Sequence, residues 1–401
     1  MRSDCCCDMS HDGIVIAPTM QGIAELASWL HARNFKFGLY LSAGWTTCST
    51  GGRNVPFIPG SIGHYQQDAD TVASWGTDYV KVRAGHGSLV VAVYPTTQAF
   101  SRVYGMGTYA GAQLDWCGTT NAHAAPYILN QQNATTGFTT AANKTGRAMW
   151  MNFHCDHTLG NIPDVRHAMP ATQLHVHVCV LTCCLWLQWC SQDGNSWRMA
   201  EDHHDNWSDT IQVINNLKFL AKFGRPHRWN DPDFLMTGGA GCDKNVTGLR
   251  CPGQTNVEYM TTFSLWAMAA APLIVSTDVR NWTPFMKSVL LNKEIIAVDQ
   301  DPLGIAGGLV ANWTCNAPVG SCQVWARPLS DGSYAAAMFN ANDDTHSITT
   351  QWSVIPGAGW DATTSVEVRD LWAHKDLGAF TGSYSATIPA HGTVMVQLRK
   401  A

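Results

Sequence analysis

The sequence predicts a parallel (β/α)8 TIM barrel followed by an antiparallel β-sandwich. Two observations predict the barrel: helix-like and strand-like segments alternate, and polar residues follow the ends of the strand-like segments. A third observation predicts the sandwich. From Gly307 onward, short β-rich runs are separated by Gly, Asp, Asn and Pro, with no convincing helix between them. We therefore predict a catalytic barrel over residues 1–306 and a sandwich domain over residues 307–401.

The barrel elements begin with a helix over Gln21–Asn34, which has apolar residues at helical spacing and ends with His and Arg. A short β-rich strand over Phe35–Leu41 follows it. The later predicted elements are helix Gln66–Trp75, strand Asp78–Val82, helix Ala125–Asn133, strand Ala148–Phe153, helix Asp209–Phe219, strand-like His227–Asp231, helix Thr255–Ala269 and strand Pro272–Ser276. The predicted sandwich strands are Gln323–Pro328, Tyr334–Asn340, Thr345–Trp352, Ser365–Asp370 and Thr393–Leu398.

Two segments, near residues 83–112 and 157–189, fit neither pattern. Structureless stretches of this length inside a compact domain argue against ordinary loops, so we interpret both as insertions. The second insertion is rich in potential metal ligands, although their spacing matches no familiar zinc pattern. These ligands are His175, His177, Cys179, Cys183 and Cys184.

The charge balance argues against a nucleic-acid partner, because the net charge is −5 and there is no basic run. No stretch approaches the roughly 18 uninterrupted apolar residues that a membrane-spanning helix needs. Apolar residues make up 45% of the chain and charged residues 14%, which is enough to fill a sizeable core. The 17 Trp residues suggest surfaces on which rings stack.

Cysteines and glycosylation sequons together favour an oxidising compartment. There are 14 Cys, and two pairs, Cys242 with Cys251 and Cys315 with Cys322, are spaced so that each could close a short loop as a disulfide. The N-x-S/T sequons begin at Asn133, Asn143, Asn206, Asn245, Asn281 and Asn312. We expect a secreted, lysosomal or vacuolar glycoprotein. The first residues of the chain carry no apolar signal segment, so either the true start is missing or the protein is not exported.

Three stretches carry carboxylates that could act in catalysis or in binding. Asp115 follows an apolar lead-in and precedes Trp, Cys and Gly, as at the end of a buried strand, where a lone Asp is usually a turn or cap residue. Asn195–Trp207 surrounds Asp202 with imidazoles, carboxylates and an Arg. It is interpreted as a metal site using His203 and His204, as a solvated loop, or as a general acid/base near a guanidinium.

The third stretch, Trp229–Asp233, is a turn sequence that would also suit the recognition of sugar hydroxyls. An aromatic face can pack on the apolar side of a sugar ring, while carboxylates accept from its hydroxyls. Two Asp residues from different strands are the minimum equipment for glycoside hydrolysis, one as nucleophile and one as acid/base.

The chain resembles the α-galactosidase/α-N-acetylgalactosaminidase (melibiase) family, glycoside hydrolase family 27, from about Asp12 to the C-terminus apart from the two insertions. The matching stretches are FKFGLYLSAGWTTC, PGSIGHYQQDADTVASWGTDYVK, LDWCG, GNSWRMAEDHHDNW, RWNDPDFL and FSLWAMAAAPLIVSTDVR running on to IIAVDQDPLG. The resemblance implies a (β/α)8 barrel with a β-sandwich, no cofactor, no metal, and removal of terminal α-linked galactose by double displacement with retention.

Carried over by motif, Asp115 corresponds to the nucleophile and Asp202 to the acid/base. Lys81 would lie on the nucleophile's strand and favour its ionised form. The implied substrate-binding set is Asp4, Tyr40, Lys81, Cys155, Arg198 and Asp233. The implied disulfides join Cys48 to Cys117 and Cys155 to Cys190. They add to the two short-loop pairs, Cys242 with Cys251 and Cys315 with Cys322.

The sequence departs from the family in three places. The family's first strand and most of its second have no counterpart, and Ser3-Asp4-Cys5 is the only remnant. Lys81 should stand two residues before the nucleophile, yet the first insertion intervenes. The second insertion falls where the family selects between galactose and N-acetylgalactosamine. Retained introns in a gene model are one hypothesis for both insertions.

The expected function is therefore α-galactosidase. The alternatives are an α-N-acetylgalactosaminidase, a non-catalytic sugar-binding relative with an incomplete barrel and, more distantly, a metal-dependent hydrolase. The expected substrates are α-galactoside oligosaccharides, glycolipids or glycoproteins, with no nucleic-acid partner and no membrane span. A homodimer is a possible assembly.

Overall fold

The computed structural model describes residues 22–41, 61, 63–81, 93–95, 111–114, 136–154, 190, 194–200, 202–239, 252–315 and 321–401. These residues form two compact units. The described residues up to 154, together with 194 and 195, belong to the first unit. Residue 190 and the described residues from 196 onward belong to the second.

The first unit alternates helices with mostly parallel strands. Its elements are α1 (Ile23–His31), β1 (Phe35–Tyr40), α2 (Tyr65–Ser74), β2 (Tyr79–Lys81), β3 (Val93–Pro95), β4 (Gly111–Leu114), α3 (136–144) and β5 (Trp150–His154). β1 pairs in parallel with β2, and both β2 and β4 pair in parallel with β5. Helices before parallel strands are the repeating unit that the sequence pattern predicted.

The first predicted insertion contributes two of these strands. β3 pairs antiparallel with β1, with Phe35 opposite Pro95 and Phe37 opposite Val93. β1 therefore has β2 on one side and β3 on the other, which satisfies backbone groups that an open sheet edge would leave unpaired. β4 overlaps the C-terminal end of the insertion. The described residues of this insertion, 93–95 and 111–112, are thus paired in the sheet.

A buried carboxylate organises the N-terminal end of β2. Asp78 accepts from the Phe37 backbone N–H at 3.0 Å, from Lys36 Nζ at 3.3 Å and from Arg147 Nη2 at 3.1 Å, and it also contacts His31 Nε2. The Asp78 side chain is only 5% exposed, so Lys36 and Arg147 compensate a desolvated charge. Asp78 thus links α1, β1, β2 and the residues that lead into β5.

The second unit begins with two short parallel strands and their helices. Its first elements are β6 (Ser196–Arg198), α4 (Trp207–Leu217), β7 (Trp229–Asp231), α5 (Asn256–Met268), α6 (Pro284–Leu290) and α7 (Lys293–Asp299). α4 begins at Asn206, whose side chain accepts from the Asp209 backbone N–H, and α5 begins with a capping box between Thr255 and Glu258. β6 pairs in parallel with β7.

The C-terminal part of this unit is antiparallel throughout its described strands. They are β8 (Gly308–Thr314), β9 (Ser321–Pro328), β10 (Tyr334–Asn340), β11 (His346–Gln351), β12 (Ser365–Asp370), β13 (Lys375–Thr381), β14 (Ser383–Ile388) and β15 (Thr393–Lys400). A six-stranded sheet has the order β13-β12-β15-β10-β9-β8, and β11 pairs with β14 in a second sheet. The apolar core between them includes Trp352, Trp360, Val366, Val396 and Leu398. The predicted Cys315–Cys322 disulfide is present.

Helix α5 joins the barrel elements of this unit to the sandwich. It is buried on almost all sides, as expected for a helix enclosed by other elements. Arg327 Nη1 from β9 donates to the Ala267 carbonyl at 2.9 Å. His391 Nδ1 lies 2.6 Å from Glu258 Oε1, and its ring stacks on Trp207 with a centroid distance of 4.4 Å. The sandwich therefore covers barrel elements directly.

Most predicted elements are confirmed within a few residues, with three kinds of exception. Strands β3, β6, β8, β13 and β14 and helices α3, α6 and α7 were not predicted. The side chains of β13 are mostly exposed, so its sequence lacks an apolar alternation. Pro272–Ser276 is not a strand but forms a single parallel bridge between Val275 and Leu235. The predicted helix Ala125–Asn133 lies outside the described residues. Among the described helices, none is long and apolar enough to traverse a bilayer.

Candidate active site

The described residues include only part of the predicted site. Arg198, Asp202 and Asp233 are described in full, and Tyr40 and Lys81 by their backbone. The predicted residues Asp4, Cys48, Asp115, Cys117, Cys155, Cys242 and Cys251 lie outside the described residues. Cys190 is buried and disulfide-bonded, as predicted, while its predicted partner Cys155 is among the residues outside.

The ends of β6 and β7 set the position of the described site. Arg198 is the last residue of β6 and lies opposite Asp231, the last residue of β7. Parallel strands in this register bring the residues that follow them to the same edge of the sheet, where α/β barrels carry their chemistry. Asp202 follows β6 by four residues and Asp233 follows β7 by two. The two carboxylates therefore meet at one edge although they are distant in sequence.

Arg198 connects these carboxylates through one nitrogen. Its Nη2 lies 2.9 Å from Asp233 Oδ2, 3.4 Å from Asp202 Oδ1 and 3.2 Å from the Ala200 carbonyl oxygen. The Arg198 side chain is 1% exposed, so its charge is removed from water and must be compensated locally. The guanidinium group thus holds the two loops after β6 and β7 at fixed distances.

Asp233 is held in an uncommon backbone conformation. Its φ is 77°, a left-handed value that is rare for a residue with a side chain. Its N–H donates to Asp231 Oδ1 at 2.9 Å, and its carbonyl accepts from Trp266 Nε1 at 2.9 Å. The backbone N–H of His203 donates to Asp233 Oδ2 at 3.0 Å. Such strain persists only where the surroundings over-determine it, and it is frequent at functional sites.

The structure distinguishes the carboxylates that crowd residues 202–209. Asp205 is buried and accepts from the Tyr259 hydroxyl at 2.7 Å and from the Gly253 backbone N–H at 2.9 Å. Burial and this carboxylate raise the pKa of Tyr259. Asp209 pairs with the exposed His204 at 2.8 Å at the start of α4. Asp202 combines contact with a guanidinium group and a side chain that is 21% exposed, which a group exchanging protons with a substrate needs.

The two adjacent histidines do not form a shared metal site. His203 is buried, with Nδ1 3.1 Å from the Phe234 carbonyl oxygen and Nε2 2.8 Å from Thr210 Oγ1. Burial lowers the pKa of His203, with opposing influences from Asp233 and the Phe234 carbonyl. His204 is instead exposed beside Asp209. In the described parts of the chain, Cys315, Cys322 and His346 lie close enough together to bind a metal ion, but the two sulfurs are joined in the disulfide.

Tyr40 and Lys81 end adjacent strands of the first unit and are Cα partners. The register of β5 bears on the prediction that Lys81 shares a strand with Asp115. Tyr79 and Gly111 both pair with Trp150, and β4 continues to Leu114 opposite Phe153. β2 and β4 therefore do not join end to end as two halves of one strand. Asp115 directly follows β4.

Sequence reasoning missed the supporting residues of this site. His203 was considered only as a metal ligand, and Thr210 and Trp266 were not considered at all. Their contacts with His203 and Asp233 span sequence separations of 7 and 33 residues. The adjacent histidines drew attention to the segment, but no local pattern distinguishes a buried imidazole from an exposed one.

Comparisons with known proteins match nearly the whole chain. The sequence profile described as "Alpha galactosidase A" matches residues 16–104 and 82–301, and that described as "Alpha galactosidase C-terminal beta sandwich domain" matches residues 319–398. Alpha-galactosidase 3 of Arabidopsis thaliana is 32% identical over 378 residues, which are 94% of this chain and 66% of that protein. Alpha-galactosidase 2 of the same plant is 30% identical over 379 residues, 94% of this chain and 73% of that protein.

Solved structures give the same fold. The crystal structure of α-galactosidase I from Mortierella vinacea has a TM-score of 0.70 at 24% identity, covering 95% of this chain and 81% of that chain. The predicted fold class, a (β/α)8 barrel followed by an antiparallel β-sandwich, is confirmed. The boundary at residues 306 and 307 remains a prediction.

Proposed function

Because the chain belongs to the α-galactosidase family, we propose that it is a retaining glycoside hydrolase that removes terminal, non-reducing α-D-galactosyl residues. Its relatives are named α-galactosidases and match 94% of its length. The chain spans 66% of the first of these relatives and 73% of the second. The activity of the whole protein is therefore part of this proposal.

The proposed mechanism is a double displacement. Asp115 attacks the anomeric carbon while Asp202 donates its proton to the glycosidic oxygen, so that the aglycone leaves and a galactosyl-enzyme ester forms. Asp202, now a carboxylate, then takes a proton from water. That water attacks the anomeric carbon, releases galactose and restores both carboxyl groups. Two inversions give overall retention of configuration.

The observation that carries the proposal is the contact of Arg198 with both Asp202 and Asp233. Arg198 Nη2 lies 3.4 Å from the partly exposed Asp202 and 2.9 Å from the buried Asp233. This arrangement supports distinct roles, with Asp202 exchanging protons and Asp233 accepting hydrogen bonds from sugar hydroxyls. Tyr40 and Lys81, from adjacent strand ends, together with Asp4 and Cys155, complete the proposed substrate-binding set.

The finer features of the protein are proposed from the same family membership. Suitable substrates are α-galactoside oligosaccharides, glycolipids or glycoproteins. A secreted or vacuolar location accords with the disulfides at Cys190 and between Cys315 and Cys322, since disulfides persist in oxidising compartments. A homodimer is the proposed assembly.

The test is hydrolysis by the full chain, with nitrophenyl α-galactoside and nitrophenyl α-N-acetylgalactosaminide as parallel substrates. We expect turnover of the galactoside, unaffected by a chelator, with α-galactose as the first product seen by NMR. The Asp115→Asn variant should lose at least about 10³-fold in kcat. Preference for the N-acetylgalactosaminide, β-galactose as first product, or no turnover by the wild-type chain would contradict the proposed function, and unchanged turnover by Asp115→Asn would contradict the role of Asp115.

A further inference from the structure

His203 is a buried titratable group that the proposed mechanism does not use. It directly follows Asp202 in the chain and is 2% exposed. Its ring connects two other parts of the second unit, the Phe234 carbonyl oxygen at 3.1 Å and Thr210 Oγ1 at 2.8 Å. An imidazole this well enclosed has no access to a substrate, so any role in the reaction is exerted through its neighbours.

The partners of the ring assign its tautomer. The Phe234 carbonyl oxygen can only accept, so Nδ1 must carry a hydrogen. Burial lowers the pKa of His203, which favours the neutral ring, so Nε2 accepts from the Thr210 hydroxyl. The Thr210 hydroxyl also lies 3.1 Å from the Asn206 carbonyl oxygen and from Gln254 Oε1, and its contact with Nε2 is the shortest of these three.

The backbone and ring of His203 both contact the loop that carries Asp233. The His203 N–H donates to Asp233 Oδ2 at 3.0 Å, the same oxygen that Arg198 Nη2 contacts at 2.9 Å. The imidazole lies against Trp266 with a centroid distance of 5.6 Å, and Trp266 Nε1 donates to the Asp233 carbonyl at 2.9 Å. His203 is therefore attached to residues 233–234 directly at two points and through Trp266 at a third.

We propose that His203 is a positioning residue that fixes the segment carrying Asp202 to the loop after β7 and so aims the acid/base carboxyl at the glycosidic oxygen. The inference rests on the proposed function, in which Asp202 donates that proton. Because the His203 ring is hydrogen-bonded at both nitrogens, the Cα of the adjacent Asp202 has little freedom to move. The contact with Arg198 then restricts the orientation of the Asp202 carboxyl group. A displacement of about 1 Å in a catalytic group can cost about 10²-fold in rate.

Comparing substrates with different leaving groups separates the positioning of the acid from a general structural role, because a structural defect would lower kcat/KM equally for all of them. Nitrophenolate departs with little help from an acid, whereas the alkoxide of methyl α-galactoside requires protonation as it leaves. We expect His203→Leu, which keeps the volume but removes both hydrogen bonds, to lower kcat/KM about 10- to 100-fold for the methyl galactoside and less than about threefold for the nitrophenyl galactoside. His203→Asn retains an N–H near the Nδ1 position and should recover part of this loss.

His204→Asn is the matched control, because it alters the adjacent histidine, which is exposed and paired with Asp209. We expect no change of kcat/KM on either substrate. Equal losses on both substrates in His203→Leu, or no loss on either, would overturn the positioning role while leaving the proposed function intact. A wild-type chain that hydrolyses neither substrate would overturn the proposed function and the positioning role together.

A second measurement covers the case in which His203→Leu fails to fold. Nitrogen-15 NMR of the wild-type protein, with histidine selectively labelled and His203 assigned by comparison with His203→Asn, reports which ring nitrogen carries the hydrogen. We expect the Nδ1–H neutral tautomer between pH 6 and 8, a range about the ordinary pKa of histidine. The Nε2–H tautomer or a charged ring in that range would contradict the assigned contacts and overturn the inference.

Discussion

Arg198 Nη2 lies 2.9 Å from Asp233 Oδ2, and the two side chains are 1% and 5% exposed. Both groups are therefore ionic partners removed from water at the ends of neighbouring parallel strands. Removing one partner of such a pair leaves an uncompensated buried charge, which is more costly than the pair is stabilising. The same guanidinium contacts Asp202, so stability and proposed activity depend on one side chain.

We predict that Arg198→Met lowers the free energy of unfolding by about 3–5 kcal/mol and lowers kcat by about 10²-fold or more, because Asp233 stays buried without its cation. Urea unfolding and turnover of nitrophenyl α-galactoside measure the two effects. Arg280→Met is the control, since Arg280 is exposed and pairs with Asp278, two residues away in the chain. Equal stability of the two variants would contradict the buried-pair interpretation.

Asp202→Asn should separate proton transfer from nucleophilic attack. We predict a loss of about 10²–10⁴-fold in kcat/KM for methyl α-galactoside, because the amide cannot protonate the departing alkoxide, and a smaller loss for nitrophenyl α-galactoside. Asp209→Asn changes another carboxylate of the same segment, one that pairs with His204 instead, and should leave both values unchanged. If Asp202→Asn affected the two substrates equally, the acid/base role would be refuted.

Asp299, at the end of α7, predicts a pH dependence of stability. Burial raises its pKa from 3.8 to about 7, against the opposing influence of Gln300 and Arg327. The unfolded chain releases this proton near pH 4 and the folded protein only near pH 7, so the folded state loses stability as pH rises between these values. At about 1.4 kcal/mol per pH unit the full effect is about 4 kcal/mol, complete above pH 7.

Asp299→Asn should remove this contribution. We expect urea unfolding at a series of pH values to show the wild type losing stability relative to Asp299→Asn from about pH 4 to about pH 7, with a constant difference above that range. The Asn side chain preserves the size of the group and an acceptor for Gln300 Nε2, which lies 2.6 Å from Asp299 Oδ2. Parallel stability profiles of the two proteins would show that Asp299 ionises normally in the fold.

Asp78 provides a test in the first unit, away from the proposed chemistry. Its carboxylate contacts His31, Lys36 and Arg147 at the N-terminal end of β2. We predict that Asp78→Asn lowers the free energy of unfolding by about 3 kcal/mol, because these groups lose a shared buried anion. Asp70→Asn, at an exposed carboxylate that accepts from Gln66, should change it by less than about 0.5 kcal/mol. A similar, small effect of both substitutions would show that the Asp78 cluster is not stabilising.

Most of the fold could be predicted from local patterns. Helical spacing in residues 23–31 and β-rich runs in Phe35–Tyr40 and Tyr334–Asn340 match the observed elements. Several strands were not predicted, among them β3, β6, β8, β13 and β14. β13 is an edge strand with few buried side chains, so its formation depends on backbone pairing with β12 rather than on a sequence pattern.

The candidate site could be predicted only in part. The resemblance assigned Arg198, Asp202 and Asp233 to the site by motif, but among the strands before them only the strand-like His227–Asp231 was predicted, and β6, which ends at Arg198, was not. The pattern could not rank Asp202 above Asp205 and Asp209. That distinction depends on Tyr259 and Arg198, which determine which carboxylate is buried and which stays partly exposed.

By itself, the sequence determined the alternation of helices and strands, the antiparallel C-terminal part and the identity of the candidate carboxylates, because periodicity and residue type are local properties. Only the tertiary structure decided that His203 is enclosed and that the first insertion supplies β3 to the edge of β1. Burial, charge compensation and strand pairing depend on residues far apart in the chain. The free energies of these interactions therefore cannot be assigned until the fold brings the residues into contact.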